Sequence, residues 1–153
     1  MSNERAAERI AGSAQEARAR VAVAESLTSG AIASALGAAP HAAEWFAGGI
    51  VAYSSDVKHH LLRVSPGPVV CASAAEEMAR GAREMFEATI AVAVTGAGGP
   101  AAQDDQPAGT VFIAVASGSG VATSEFRFDG GPGQVVELTV RHALRLLEGA
   151  LAA

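Results

Sequence analysis

Val21-Ala-Val-Ala-Glu25, followed by Ser26-Leu-Thr-Ser-Gly30 and then Ala31-Ile-Ala-Ser-Ala-Leu-Gly-Ala38, is the stretch that decides the fold. A short apolar run stops at a charge. A cluster of small polar residues and glycine follows, and helix-forming residues take over. Such a run reads as a buried strand, and the cluster as a strand-to-helix turn. The same alternation continues along the chain. Residues 3–19 read as an amphipathic helix with Ala6, Ala7, Ile10, Ala14 and Ala17 on one face. After Pro40, residues 41–46 read as a helical turn, 48–54 as a second strand and 55–62 as a helix. Residues 64–68 form a loop, and Ser73-Ala-Ala-Glu76 has the form of a capping box opening a helix to about residue 88. Residues 89–96 make a third strand, and 97–109 a glycine- and proline-rich loop. Two further strands, 110–118 and 121–130, are joined at Gly118-Ser-Gly120, and 133–149 is a closing helix. The pattern predicts a three-layer α/β/α domain over residues 1–153, with a mixed sheet of about five strands including a C-terminal hairpin.

Composition limits the functional classes. Half of the 153 residues are hydrophobic and 18% are charged, which argues against intrinsic disorder. Alanine occurs 36 times, so helices can pack closely and apolar subunit interfaces are expected. The net charge is −5 and there is no basic run, so nucleic-acid binding has no electrostatic support. No apolar run reaches the roughly 18–20 residues that span a bilayer. The charged N-terminus has no signal-peptide centre. The single cysteine, Cys71, excludes an intrachain disulfide. A soluble cytoplasmic protein is expected. Ten of the eleven basic residues are arginine, and Lys58 is the only lysine.

Four segments could carry chemistry. Ser26 follows a strand and precedes a helix, the place where ligands gather in α/β sheets. It is positioned for a nucleophile beside helix N–H groups; the plainer reading of the spacing is that Ser26 and Thr28 cap the helix. Tyr53 and Lys58 follow the second strand, five residues apart. A serine hydroxyl needs a base near pH 7, and a buried lysine or a relaying tyrosine can supply one. The alternative is a surface lysine and a half-buried tyrosine. Thr95-Gly-Ala-Gly-Gly-Pro100 and Asp129-Gly-Gly-Pro-Gly-Gln134 are glycine-rich turns able to bring backbone N–H groups to an anion, or simply to connect elements. No metal set emerges: His59 and His60 are adjacent, and His41 and His142 stand alone. Cys71 reads as a small buried residue, Trp45-Phe46 as core or interface, and Asp104 and Asp105 as a solvated loop.

Taken in order, Ala24-Glu-Ser-Leu-Thr-Ser-Gly30, Gly48–Lys58, Glu76–Arg83 and Ala93–Ala116 resemble the C-terminal domain of CinA, a family that includes nicotinamide-nucleotide amidases of the PncC type. The resemblance runs from about residue 5 to the end. Two-domain CinA proteins carry a further N-terminal domain, for which this chain is too short. The resemblance implies hydrolysis of nicotinamide mononucleotide to nicotinate mononucleotide and ammonia, in pyridine nucleotide recycling. Ser26 would be the nucleophile, with Tyr53 and Lys58 activating it. Thr28, Ser29, Gly30, Thr95, Gly96, Gly98 and Gly99 would bind substrate. No metal or other cofactor is implied, and a homo-oligomer is. The chain departs from the family pattern at Leu27, Ser29, Cys71 and Ala97-Gly98. Pro132 and Val136 occupy two positions where the family often has arginine. These departures keep two alternatives open: an impaired nucleotide-binding or oligomeric module, and an amidase for a different small amide.

Overall fold

The structure is a computed structural model and describes residues 2–153; Met1, the first residue of the expected domain, lies outside the described residues. Eleven elements follow one another: α1 (Asn3–Ala17), β1 (Val21–Glu25), α2 (Ala31–Gly37), α3 (Ala42–Trp45), β2 (Phe46–Val51), α4 (Ser55–Leu61), α5 (Ala72–Met85), β3 (Ile90–Gly96), β4 (Thr110–Ser117), β5 (Gly120–Arg127) and α6 (Pro132–Ala152). The five strands lie in the order β2-β1-β3-β4-β5. β1 pairs in parallel with β2 and β3, while β3–β4 and β4–β5 are antiparallel. The expected α/β/α architecture with a mixed sheet and a C-terminal hairpin is present.

The core follows from the period-2 alternation of a strand. Val21, Val23, Ile90, Val92, Val94, Val111, Ile113 and Val115 face one side, against Ile10, Ile32, Leu36, Trp45, Leu144 and Leu147. Ala22, Ala24, Ala91, Ala93, Ala114 and Ala116 face the other, against Ala74, Ala75, Met78, Ala79 and Ala82 of α5. Branched side chains thus fill the layer under α1, α2, α3 and α6. Alanines line the face under α5, where small side chains let the helix approach closely. This face accounts for part of the alanine content. Both alternating strands are buried along their whole length, as expected when helices cover both faces of a sheet.

The chain leaves β1 through α2 and α3 on one face to reach β2. It returns through α4 and α5 on the other face to reach β3. The direction of winding therefore reverses at β1, whose carboxyl end becomes a crevice.

Several boundaries differ from the sequence expectation. β2 spans 46–51 rather than 48–54, because Trp45 passes directly into the strand and a bulge between Val21 and Ala22 accommodates the early start. Ala52, Tyr53 and Ser54 lie beyond it, and Ser54 caps α4, its side chain accepting from the Val57 N–H at 3.3 Å. Helix α5 starts at Ala72 and ends at Met85, so Ser73 is inside it and the capping box does not form; Cys71 is the N-cap residue and makes no side-chain capping bond. Cys71 is half-buried rather than buried. Neither Ser26 nor Thr28 caps α2: the N-cap is Gly30, and the capping acceptor comes from elsewhere.

Gly81 sits on α5 where the chain leaving α4 crosses it. A β-carbon there would stand 2.5 Å from the Leu62 carbonyl oxygen. Alanine favours helix over glycine by about 1 kcal/mol, but overpacking against backbone costs about 1–3 kcal/mol. Gly81→Ala is therefore expected to lower the thermal midpoint. An unchanged or raised midpoint in a circular-dichroism melt would show that the crossing has room.

Candidate active site

β1 delivers its last residue, Glu25, fully buried to the carboxyl end of the sheet. The carboxylate is satisfied by neutral donors. Its Oε1 accepts from the Thr28 hydroxyl at 2.6 Å and the Ile32 N–H at 2.9 Å, and its Oε2 accepts from the Ala33 N–H at 2.9 Å. Glu25 thereby performs the capping that Ser26 and Thr28 do not, with negative charge at the positive end of α2. Between carboxylate and helix, Ser29 and Gly30 both adopt positive φ, 50° and 100°. The chain thus reverses within a few residues, and the Ser26 carbonyl accepts from the Ser29 N–H at 3.1 Å.

Ser26, 6% exposed, lines a cavity of about 410 Å³. Three segments converge there: Ser26 and Leu27 after β1, Tyr53 after β2, and Gly96 at the end of β3 with Gly98–Gln103 beyond it. The start of α6 closes it with Pro132 and, one turn on, Val136. Tyr53 is 68% exposed, and its backbone carbonyl accepts from Lys58 Nζ at 3.0 Å. Lys58 is 2% exposed and is not among the lining residues. Its burial pushes its pKa below the ordinary lysine value, an effect that the charge of Asp104 partly opposes. No hydrogen bond holds the Ser26 hydroxyl among the described residues.

The loop over the cavity is pinned. Asp104 Oδ2 accepts from the N–H groups of Val69 and Val70 at 2.9 and 3.0 Å. Thr95 donates to the Val69 carbonyl at 2.7 Å. Gln103 and Gln106 exchange backbone bonds across the loop tip. A larger surface depression, about 550 Å³, is bounded by Arg80, Arg83, Glu84 and Glu87 and by Ser117. Ser117 pairs with Ile90, the first residue of β3, so that depression lies at the other end of the sheet.

Comparison with known proteins agrees with the fold. The family model for the CinA C-terminal domain matches residues 3–151. The chain belongs to the CinA C-terminal domain family. A CinA-like protein of Frankia casuarinae is 38% identical over 139 residues, 88% of this chain and 32% of that protein. This CinA domain spans about a third of the length of the curated relatives it matches. The crystal structure of the competence/damage inducible protein CihA from Agrobacterium tumefaciens superposes with a TM-score of 0.92 at 34% identity, covering 100% of both chains. The competence damage-inducible protein A of Klebsiella pneumoniae superposes at 0.95, with 31% identity over 99% of this chain and 98% of that one.

Within this CinA domain, the residues singled out from sequence divide into groups. Ser26, Tyr53, Gly96, Gly98 and Gly99 share one cavity. Lys58 reaches it only through the Tyr53 backbone. Thr28 and Thr95 are buried with their hydroxyls engaged by Glu25 and Val69. Ser29 and Gly30 shape the turn and do not line the cavity. The sequence reading passed over Gln103 and Glu25, and placed Asp104 in a merely solvated loop. Asp104 is exposed, yet it clamps two backbone N–H groups. A charge closing the run Val21–Ala24 is the signal that would have marked Glu25.

Among the described residues, no group of three or more His, Cys, Asp or Glu side chains could hold a metal ion. No helix of the described residues is long and apolar enough to cross a membrane.

Two outcomes follow. In Glu25→Gln, an amide N–H must face one of the three donors, leaving a buried group unpaired. The expected loss is about 1–3 kcal/mol in denaturant unfolding; full retention of stability would show the cap to be dispensable. Lys58, with its folded-state pKa depressed, binds its proton more weakly folded than unfolded. Wild-type stability should therefore rise relative to Lys58→Met as pH climbs from the depressed value toward about 10.5. A pH-independent difference between the two proteins would refute burial of the neutral amine.

Proposed function

We propose that this domain is an amidohydrolase of the nicotinamide-nucleotide type. Ser26 Oγ attacks the carboxamide carbon of a nicotinamide nucleotide and forms a bond to it. The proton leaves Ser26 toward the Lys58–Tyr53 pair, the C–N bond breaks, and ammonia departs with a proton returned from that pair. Water then hydrolyses the acyl-enzyme, releasing the nicotinate nucleotide and restoring Ser26. Burial supports the base: a lysine whose pKa is lowered holds a larger neutral fraction near pH 7. Backbone N–H groups of the glycine-rich turn after β3 are the candidate donors to the oxyanion.

The observation that carries this reading is the convergence of Ser26 and Tyr53 on one cavity, with the only lysine buried behind Tyr53. Membership of the family adds to it. The reading includes a cytoplasmic homo-oligomer acting on a small molecule. Relatives named for competence or damage do not bring nucleic acid into it, since the chain is acidic.

A second reading, a nucleotide-binding module without turnover, is favoured by the lack of a hydrogen bond between the Ser26 hydroxyl and Lys58 among the described residues. Ammonia release from nicotinamide mononucleotide by the purified protein separates the two. Turnover is expected, falling at least about a thousandfold in Ser26→Ala and about a hundredfold or more in Lys58→Met, with far-ultraviolet circular dichroism unchanged. Thermal stabilisation by the mononucleotide with no ammonia released would select the second reading.

A further inference from the structure

The cavity beside Ser26 is polar in places and nowhere charged. Among the described residues, no ionised side chain lines it. Its polar side chains are the hydroxyls of Ser26 and Tyr53 and the amide of Gln103; Leu27, Ala101, Ala102, Pro132 and Val136 supply much of the rest.

One element at this cavity would ordinarily attract an anion. A helix N-terminus has unpaired N–H groups and favours negative charge. In α6 that capacity is reduced. Pro132 opens the helix and has no N–H. The Gly131 N–H already donates to Gln134 Oε1 at 3.1 Å. One turn further on, the side chain facing the cavity is Val136. Lys58, the only lysine, is shielded from the cavity and bonded to the Tyr53 carbonyl. A phosphate dianion drawn into such a space would lose hydration without gaining a charged partner. A carboxamide on an aromatic ring suits it better: apolar walls receive the ring, and hydroxyls and backbone groups receive the amide. The volume of about 410 Å³ falls in the ordinary range for small-molecule sites.

We propose that recognition at this site stops short of the phosphate: ring and carboxamide enter the cavity, the phosphate remains in water, and phosphate-free aryl carboxamides are accepted as readily as nucleotides. This rests on the amidohydrolase reading and specifies its substrate class.

The test uses a matched pair, nicotinamide mononucleotide and nicotinamide riboside, which carry the same reacting group and differ by the phosphate. kcat/KM is measured for both by ammonia release with the purified protein. A single charge-assisted hydrogen bond to phosphate would be worth about tenfold or more. The expected ratio is below about tenfold, with both activities lost in Ser26→Ala and no competition by inorganic phosphate. A preference for the mononucleotide above about tenfold, or competitive inhibition by inorganic phosphate, overturns the proposal while leaving the amidohydrolase standing. If neither compound is hydrolysed, the amidohydrolase reading fails, and calorimetric Kd values of the same two compounds decide recognition. Affinities within about tenfold retain the phosphate-free class. Tighter binding of the mononucleotide, or no binding of either, removes it.

Discussion

The Glu25 carboxylate is a charge placed where no solvent reaches it, and the surroundings of Ser26 depend on how it is satisfied. Burying an ionised group is costly unless hydrogen bonds replace its hydration. Here the Thr28 hydroxyl and two N–H groups of α2 supply them. The bonds fix the start of α2, a helix of seven residues that is too short to be stable alone. They also fix the turn that contains Ser26. On the backbone side, the Glu25 carbonyl accepts from the Ala52 N–H at 2.7 Å, which sets where the chain leaves β2. Tyr53 is the next residue. One amino acid therefore positions both groups facing the cavity, one through its side chain and the other through its main chain.

The sheet beneath this arrangement is asymmetric in side-chain size. Branched residues fill the layer under α1 and α6, and alanines face α5. Close packing on the alanine face draws α5 and the segment before it toward the sheet, and Thr95 and Asp104 both bond to that segment at Val69 and Val70. The loop after β3 is consequently held over the end of β1, although it contains little regular structure. Lys58 is buried as well. An ammonium group shielded from water has its proton affinity reduced, so burial itself bears on the prospective chemistry.

The cavity itself is assembled from segments distant in sequence: residues 26–27, 53, 96–103 and the start of α6. The two glycine-rich turns recognised as anion-binding candidates do converge there. Their chemistry differs from a generic anion site because Pro132 removes one donor from the first turn of α6, the Gln134 side chain engages the Gly131 N–H, and Val136 contributes no charge. Local composition suggested the place; neighbouring side chains determined its polarity.

The sequence by itself determined the layer architecture, the approximate extent of every strand and most helices, and the family. Those features depend on period and composition, which are local. The alternation of valine with alanine predicts a strand covered on both faces, and the glycine- and proline-rich segments mark its connections. Where the reading failed, the deciding interaction came from a distance. Helix α2 is capped by Glu25, seven and eight residues before the N–H groups it receives, so neighbouring Ser26 and Thr28 drew the inference instead. Helix α5 begins before Ser73 rather than at it, and the segment leading into it is clamped by Asp104, 34 and 35 residues away. Burial of Lys58, exposure of Tyr53 and the uncharged lining of the cavity likewise belong to the tertiary structure alone, because solvent access and electrostatic environment are properties of what surrounds a residue rather than of the residue itself.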